Sequence, residues 1–197
     1  MADVAGVLLT GGTSRRMGFD KAELQIDGER LVDRAGRALD ATCSTVIEVG
    51  PGYHTSPSTL EDPPGAGPLA ALGAGAQALR AGGHTGPVML LAVDLPFVSE
   101  PLLRLIAEQP DETTVLPMAN GMPQLCCARY SPAALDVIPA LLSTGQTSLR
   151  ALLAATRATL VYESEWRAVA PAHAFHDLDS PEDLTQYGIE PPQERRK

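Results

Sequence analysis

Two kinds of apolar pattern alternate along the first half of the chain. Residues 4–9 and 87–93 are continuous apolar runs, as expected of strands that are buried on both faces of a sheet. Residues 31–39 and 68–79 repeat apolar positions at helical spacing, and residues 45–49 are rich in β-branched side chains. Strands that alternate with helices predict crossover units and a mainly parallel sheet.

The pattern changes in the second half of the chain. Two strand-like runs flank Asn120-Gly121, and this dipeptide between such runs is the strongest short signal for a β-hairpin. We therefore predict an α/β fold, a three-layer α/β/α Rossmann-like arrangement in which a mainly parallel sheet carries an antiparallel strand insertion. The predicted elements here are hairpin strands at 113–118 and 123–130, helices at 100–108, 132–142 and 148–155, strands at 159–162 and 174–178, and a helix that starts at Ser180.

Chain length limits the number of domains. A chain of 197 residues can bury one α/β core and is short for two full-sized domains. We predict one domain over residues 1–189. Residues 190–197 contain two prolines and five charged residues, and they are predicted to form a flexible tail.

Charge and hydropathy limit the partners and the location that we expect for this protein. The formal net charge of −9 disfavours nucleic acid or an anionic membrane as a partner. The sequence lacks both a membrane-length apolar segment and the basic start of a signal peptide, so the expected location is the cytoplasm. Cys126 and Cys127 lie in an apolar run and are predicted to be buried thiols, and we expect the protein to act as a monomer.

A glycine-rich basic segment follows the first predicted strand. Residues 8–21 read LLTGGTSRRMGFDK, which fits neither a Walker A loop nor a dinucleotide fingerprint. Glycines let backbone amides approach an anion closely, and Arg15, Arg16 and Lys21 add positive charge in an otherwise acidic chain. The segment therefore predicts a loop that binds phosphate.

Asp94 ends the most apolar of the predicted strands. Ligands of open parallel sheets bind beyond the carboxyl ends of the strands, and a carboxylate there offers the hard oxygen ligand that Mg²⁺ prefers. The ordinary structural alternative is an aspartate that caps the following helix. The residues alone leave both interpretations open.

The segment from Gly11 to Lys21 resembles the signature loop of the molybdenum cofactor nucleotidyltransferases, within the wider glycosyltransferase-A-like nucleotidyltransferase fold. The match is carried by GGTSRRMGFDK. The resemblance implies that Arg16 and Lys21 reach the triphosphate, and that Thr10 stands where the family usually has alanine. It also implies that the base is held by the backbone of Leu9, Thr10, Gly11 and Gly12.

Two further segments extend the resemblance along the chain. Asp62, followed by GPLAAL at residues 67–72, is similar to an acidic position and helix start of the family, which implies a nucleotide contact. The alternative for Asp62 is an exposed turn carboxylate. Residues 94–97, DLPF, resemble a segment whose aspartate binds Mg²⁺, which implies a metal role for Asp94.

Two parts of the chain favour different bases. The loop at residues 11–21 and the GPLA segment resemble the guanylyltransferases, whereas Asp177 and Asp179 resemble the related cytidylyltransferases. We favour GTP. Asp179 is either a second metal ligand or a helix cap. Asn120 and Gln124 either line the acceptor pocket or only form the hairpin.

The predicted function is transfer of GMP from GTP to the terminal phosphate of molybdopterin, with release of pyrophosphate. The resemblance implies Arg16, Lys21 and Asp94 as catalytic residues, Mg²⁺ on Asp94, and GTP and molybdopterin as small-molecule partners. Transient contacts with other proteins of molybdenum cofactor biosynthesis or with acceptor enzymes are a further expectation.

Three alternatives stay open. The first is a cytidylyltransferase of the same cofactor, or a nucleotidyltransferase for another phosphorylated molecule such as a sugar phosphate or phospholactate. The second is a non-catalytic GTP-binding protein that delivers the cofactor. The third, an NAD-dependent oxidoreductase, is disfavoured by the glycine spacing. His173 and His176 are expected to serve packing, since no further metal-ligand pattern lies near them in the sequence.

Overall fold

The computed structural model describes residues 3–11, 20–110, 112–178 and 180–189. The strands are β1 Ala5–Leu9, β2 Gln25–Ile26, β3 Glu29–Arg30, β4 Val46–Val49, β5 Ser58–Thr59, β6 Val88–Ala92, β7 Thr114–Ala119, β8 Met122–Pro123, β9 Cys127–Tyr130 and β10 Ala158–Val161. The helices are α1 Leu31–Asp40, α2 Pro68–Ala81, α3 Glu100–Ala107, α4 Pro132–Ser143, α5 Leu149–Ala155, α6 Glu163–Trp166 and α7 Pro181–Tyr187, with a 3₁₀ turn at Lys21–Glu23. Within these ranges, none of the helices has the length and apolar content that crossing a membrane requires.

The main sheet has the order β10-β7-β9-β6-β1-β4-β5, with β8 paired to β7. Strand β1 is parallel to both β4 and β6, β4 is parallel to β5, and β10 is parallel to β7. Strand β9 runs antiparallel to its neighbours β6 and β7. This topology confirms the predicted mainly parallel sheet with an antiparallel insertion.

Two hydrophobic cores cover the two faces of the sheet. Leu8 of β1 packs in the core that contains α1, α3, α6 and α7, whereas Val7 and Leu9 pack in the core that contains α2, α4 and α5. Because β1 and β6 are buried on both faces, their sequences are continuous apolar runs rather than alternating ones. The three-layer prediction is therefore confirmed.

The predicted hairpin is present, but its second strand is divided. Asn120 and Gly121 have φ values of 51° and 73°, as a two-residue turn between twisted strands requires. Strand β8 then ends at Pro123, and β9 continues beside β6, so that only Val115 and Arg129 remain paired between β7 and β9. A single strand over residues 123–130 was therefore too long a prediction.

The strand predicted at residues 174–178 is wrong. The segment forms turns and coil, and its apolar residues are buried through packing: the ring centroids of Phe175 and Trp166 lie 5.1 Å apart. Buried coil and buried strand give the same apolar signal over such a short stretch. The helix start at Ser180 is confirmed, since its hydroxyl accepts a hydrogen bond from the amide of Asp183.

Three short elements carried too weak a pattern to be predicted. The β2–β3 ribbon turns at Asp27-Gly28, β5 is two residues long, and α6 has a single turn. The predicted tail at residues 190–197 lies outside the described ranges. The division of the chain into one domain and a tail therefore stays a prediction.

Candidate active site

The carboxyl ends of β5, β4, β1 and β6 lie side by side at one edge of the sheet. Thr10 follows β1, Asp62 lies beyond β5, and Asp94 lies beyond β6. Adjacent strands are ~4.8 Å apart, so the distance from β5 to β6 is about 14 Å. This edge is where ligands bind in open α/β sheets.

Lys21 and Asp94 are in contact at this edge. The Nζ of Lys21 lies 3.5 Å from Oδ2 of Asp94, although the two residues are 73 positions apart in the chain. Their side chains are 16% and 33% exposed, so the pair is shielded from water on most sides yet open to a ligand. The structure thus brings together the predicted phosphate-binding lysine and the predicted metal-binding aspartate.

Lys21 begins the 3₁₀ turn that ends the glycine-rich loop. The carboxylate of Asp20 caps this turn by accepting a hydrogen bond of 3.0 Å from the amide of Ala22. Gly12, Arg15 and Arg16, which the sequence also placed in the phosphate-binding loop, lie outside the described residues.

The backbone holds Asp94 between two segments. The amide of Val93 donates to the carbonyl of Leu9, and the amide of Leu178 donates to the carbonyl of Asp94 at 3.1 Å. The next helix, α3, begins at Glu100 with Ser99 as its N-cap residue, so Asp94 does not cap it. The helix-cap alternative for Asp94 is therefore wrong, and its carboxylate contacts Lys21 instead.

Cys126 lies beside the end of β6, where its carbonyl accepts a hydrogen bond of 2.9 Å from the amide of Ala92. Burial is the main cause that raises the pKa of the Cys126 thiol to about 11, and the negative charges of Asp94 and Asp177 contribute to this rise. Asp179, the predicted second metal ligand, lies outside the described residues.

The donor set at Asp94 is compatible with Mg²⁺. Carboxylate oxygens suit this hard cation, which usually keeps several waters and binds through one or two carboxylates plus substrate phosphates. Among the described residues, there is no group of three or more histidine, cysteine or acidic residues that could hold a metal. A cation here would therefore depend on the phosphates of the nucleotide for part of its shell.

The sheet already uses several of the backbone groups predicted to hold the base. The carbonyl of Leu9 accepts from Val93, and the amides of Thr10 and Gly11 both donate to the carbonyl of Val49, at 3.2 and 3.3 Å. The carbonyl oxygens of Thr10 and Gly11 are the groups left for a base within the described part of this loop. At Thr10 and Gly11, a base would therefore meet carbonyl acceptors rather than amide donors.

Glu48 is a residue of this edge that sequence analysis missed. It is fully buried in β4, and its carboxylate accepts hydrogen bonds from the Thr10 hydroxyl at 2.5 Å and from the amides of Gly52, Tyr53 and His54 at 2.9, 3.0 and 2.7 Å. Burial alone would raise the pKa of Glu48, but these hydrogen bonds lower it below its ordinary value. The signal for it in the sequence was an acidic residue inside a strand that is rich in β-branched side chains.

Asp62 is exposed and lies on the loop between β5 and α2. Strands β4 and β1 separate this loop from β6, so Asp62 is at the opposite end of the edge from Asp94. The amide of Leu69 at the start of α2 donates to the carbonyl of Thr147 at 3.3 Å, so the protein itself occupies part of that helix terminus. A nucleotide contact by Asp62 stays a prediction.

Asn120 and Gln124 have clear structural roles in the hairpin. The amide of Asn120 donates to the Glu163 carboxylate at 2.7 Å, and the Gln124 side chain donates to the carbonyl of Met122 at 3.2 Å. The hairpin lies at the same edge as Asp94, because β7 runs parallel to β6 through β9. An acceptor-binding role for either residue remains a prediction.

The two histidines of the C-terminal segment pack as predicted. His173 contacts the ring of Phe97 edge-on with centroids 4.6 Å apart, and His176 contacts Tyr187 at 4.9 Å. His176 is also 3.0 Å from the carboxylate of Asp183. These contacts hold α7 against the segment that follows Asp94.

We expect the native protein to resist thiol reagents. Burial raises the pKa of Cys43 to about 12 and that of Cys126 to about 11, and it raises the pKa of Cys127 still more. A rise of two units from the ordinary value lowers the thiolate fraction about a hundredfold at neutral pH. Ellman's reagent at pH 7.5 should therefore label the native protein about a hundredfold more slowly than the protein in guanidinium. Labelling of Cys126 at the rate of a free thiol would contradict this assignment.

Comparison with known proteins identifies the family. Residues 6–160 match the family model described as the MobA-like NTP transferase domain. The chain belongs to this family. The match covers the glycine-rich loop, Lys21 and Asp94, and it makes this chain a nucleotidyltransferase. The family predicted from the sequence is thus confirmed.

Relatives of this MobA-like chain cover nearly its full length. Proteins of Mycobacterium tuberculosis and Mycobacterium bovis named "Probable molybdenum cofactor guanylyltransferase" are 32% identical over 190 residues, which are 90% of this chain and 92% of theirs. A protein of the same name from Chloroflexus aggregans is 28% identical over 194 residues, covering 92% of this chain and 91% of its own.

Solved structures share the fold of this MobA-like chain. The molybdopterin-guanine dinucleotide biosynthesis protein A of Archaeoglobus fulgidus superimposes with a TM-score of 0.77 at 20% identity, covering 93% of this chain and 96% of that one. The 2-C-methyl-D-erythritol 4-phosphate cytidylyltransferase of Thermus thermophilus has a TM-score of 0.65 at 18% identity, covering 92% and 95%. At these identities the likeness shows the fold alone.

Proposed function

We propose that this nucleotidyltransferase transfers GMP from GTP to the terminal phosphate of molybdopterin and releases pyrophosphate. The observation that carries the proposal is the 3.5 Å contact between Lys21 and Asp94 at the carboxyl edge of the sheet. The contact joins an ammonium group, which we propose binds phosphate, to a carboxylate, which we propose binds Mg²⁺. The names of the mycobacterial and Chloroflexus relatives support the same reaction.

The reaction requires alignment more than proton transfer. An oxygen of the molybdopterin phosphate forms a bond to the α-phosphorus of GTP, the bond from that phosphorus to the bridging oxygen of the β-phosphate breaks, and pyrophosphate leaves. The attacking phosphate is already an anion, so no strong base is needed. Catalysis then depends on holding the two phosphates in line and on stabilising the negative charge.

In this proposal Lys21 contacts the triphosphate, which is supported by the position of its ammonium group beside Asp94 at the start of the 3₁₀ turn. Arg16 would add a second cation, as the family resemblance implies. Asp94 would hold Mg²⁺, as the family resemblance implies. When bound, the cation would neutralise charge that develops on the phosphates.

We propose an orientation for the nucleotide along this edge of the sheet. The proposed phosphate contacts lie beyond β6, and Asp62 lies beyond β5, about 14 Å away at the usual strand spacing. Thr10 and Gly11 lie between these ends, after β1. The proposal therefore places the base and ribose over β1, β4 and β5, and the reacting phosphate beside Lys21 and Asp94.

The backbone at Thr10 and Gly11 favours guanine. Because both amides are bonded to Val49, the loop would present carbonyl acceptors to the base. Guanine offers the donors N1–H and N2–H₂ on its pairing edge, whereas cytosine presents two acceptors and one amino donor there. Asp177 favours CTP instead, because an aspartate at this position resembles the sequences of the related cytidylyltransferases.

A panel of nucleotides tests the proposal. The purified protein, Mg²⁺ and molybdopterin are incubated with GTP, CTP, ATP or UTP, and pyrophosphate release is measured. We expect GTP to give a kcat/KM at least tenfold above that of CTP. A larger value for CTP would favour the cytidylyltransferase, and tight GTP binding without pyrophosphate would favour a non-catalytic delivery protein. Replacing molybdopterin by a sugar phosphate or phospholactate tests other acceptors.

The location and the oligomeric state of the chain are also proposals. We propose that one copy of the chain acts in the cytoplasm and passes its product to other proteins of molybdenum cofactor metabolism. Size-exclusion chromatography with light scattering at micromolar concentration should give the mass of a single chain of 20.7 kDa. A stable larger species would contradict the monomer.

A further inference from the structure

The buried carboxylate of Glu48 and the phenol of Tyr53 contact opposite ends of one segment. We use the name nucleotide loop for residues 10–21, of which the structure describes residues 10, 11, 20 and 21. Glu48 accepts a hydrogen bond from Thr10 at the start of this loop, and Tyr53 donates a short one to Asp20 near its end. Glu48 and Tyr53 are themselves joined, since the amide of Tyr53 donates to the Glu48 carboxylate at 3.0 Å.

We infer that Glu48 and Tyr53 are positioning residues that hold both ends of the nucleotide loop in register with β4. The inference rests on the proposed function, because it assumes that Thr10 and Lys21 contact the nucleotide. Neither Glu48 nor Tyr53 touches the substrate in this scheme. Glu48 acts on the base through Thr10, and Tyr53 acts on the phosphates through Asp20 and Lys21.

The start of the loop is fixed to β4 at three points. The amides of Thr10 and Gly11 donate to the carbonyl of Val49, and the Thr10 hydroxyl donates to Glu48. A Cβ atom at Gly50 would lie only 1.9 Å from the Thr10 hydroxyl oxygen, so glycine at this position leaves the space that the hydroxyl occupies. Thr10 itself is 4% exposed. Its hydroxyl is therefore used within the protein, by Glu48.

The end of the loop is fixed through Asp20. One carboxylate oxygen of Asp20 accepts from the amide of Ala22 and the other accepts from the phenol of Tyr53. Lys21 follows directly, and its ammonium group contacts Asp94. Tyr53 thus limits the movement of the backbone that carries Lys21.

The turn that carries Tyr53 is itself anchored to α1. The His54 side chain is 8% exposed, and its Nδ1 lies 2.9 Å from the Ser56 hydroxyl. A Cβ atom at Gly36 of α1 would lie 2.3 Å from Nε2 of His54, so the imidazole packs directly on the helix backbone. The guanidinium of Arg30 donates to the carbonyl of Tyr53 at 3.4 Å. The turn can therefore act as a fixed support for the loop.

The protonation states suit this arrangement at neutral pH. The hydrogen bonds to Glu48 lower its pKa against the effect of burial, so the carboxylate is charged and accepts from all four donors. The hydrogen bond to Asp20, and then burial, raise the pKa of Tyr53 to about 12, so its hydroxyl remains a donor. Hydrogen bonds to a charged partner are roughly twice as strong as neutral ones.

Two conservative variants test the two ends of the loop separately. Thr10→Val removes the hydroxyl at constant shape, and we expect KM for GTP to rise about tenfold while kcat stays within about twofold. Tyr53→Phe removes the phenol oxygen, and we expect kcat at saturating GTP to fall about tenfold while KM for molybdopterin is unchanged. A tenfold change corresponds to about 1.4 kcal/mol. A general loss of stability would not produce these two different patterns.

Matched controls accompany the variants. Thr10→Ser keeps the hydroxyl and should restore KM for GTP to near the wild-type value. Thr42→Val removes a hydroxyl that donates to the carbonyl of Ala38 in α1, and it should leave both constants unchanged. Circular dichroism and thermal unfolding verify that each variant is folded, and hydrogen exchange of the Thr10, Gly11 and Ala22 amides reports the loop ends without nucleotide.

The outcomes distinguish the two proposals. If Thr10→Val and Tyr53→Phe lower only the unfolding temperature and leave kcat and KM at wild-type values, the positioning roles are overturned while the proposed function stands. If the wild-type protein binds GTP without turnover, the proposed reaction fails, and the GTP dissociation constant of Thr10→Val, expected to rise about tenfold, still decides the role of Glu48. A wild-type protein that binds none of the nucleotides overturns both.

Discussion

Lys21→Ala is expected to lower kcat by a hundredfold to a thousandfold with the fold intact. The side chain is 16% exposed, and its ammonium group is held beside Asp94 where the phosphates are proposed to lie. Loss of one preorganised electrostatic contact to a reacting group costs about 3 to 4 kcal/mol of barrier. Steady-state pyrophosphate release with saturating GTP, Mg²⁺ and molybdopterin measures the effect.

Two companion variants make the Lys21 result specific. Arg37→Ala removes a cation that pairs with Glu29 on the exposed surface at 2.9 Å, and it should leave kcat within twofold of wild type. Lys21→Arg keeps the charge but changes its shape, so it should recover part of the activity. Full turnover by Lys21→Ala would remove the lysine from the mechanism.

Asp94→Asn should lower kcat by a similar factor, and it should also raise the concentration of Mg²⁺ needed for half-maximal rate. The amide keeps the size of the side chain but loses the negative charge that a hard divalent cation prefers. The backbone hydrogen bonds that the amide of Leu178 donates to Asp94 and the amide of Val93 donates to Leu9 are not altered by this change, so the sheet edge should persist. A titration of rate against Mg²⁺ at saturating GTP provides the measurement.

The control for Asp94→Asn is another aspartate in an ion pair. Asp136 pairs with Arg80 at 2.5 Å in an exposed position, and Asp136→Asn should change neither kcat nor the dependence on Mg²⁺. If Asp94→Asn retains both the wild-type rate and the wild-type Mg²⁺ dependence, the metal role of Asp94 is lost. A drop in rate with unchanged Mg²⁺ dependence would assign Asp94 to the orientation of Lys21 instead.

Burial on both faces explains why much of the fold could be predicted from the sequence. Strand β6 is apolar at every position, and Asp94 follows its end, so one segment of sequence predicted both the strand and the candidate site. Asn120-Gly121 predicted the hairpin because few other residue pairs adopt two successive positive φ values. The proximity of Lys21 and Asp94 followed from parallel topology, which brings the carboxyl ends of strands to one edge.

The missed features depend on tertiary contacts that local patterns do not encode. Residues 174–178 are apolar because Phe175 packs on Trp166, and this packing imitates the pattern of a strand. Glu48 is tolerated in the core because the Thr10 hydroxyl and three consecutive amides of the turn after β4 donate hydrogen bonds to it. Tyr53 gave no signal, since the position of Asp20 beside it arises only after β1 and β4 pair.

The contact between Lys21 and Asp94 also has a thermodynamic consequence for the two charged ligands of the site. A phosphate that binds Lys21 alone, or a divalent cation that binds Asp94 alone, must break the contact between the two side chains. When both arrive together, each side chain gains an opposite charge, and the separation is needed only once. Nucleotide and cation should therefore each strengthen the affinity for the other by the same factor, as linkage requires.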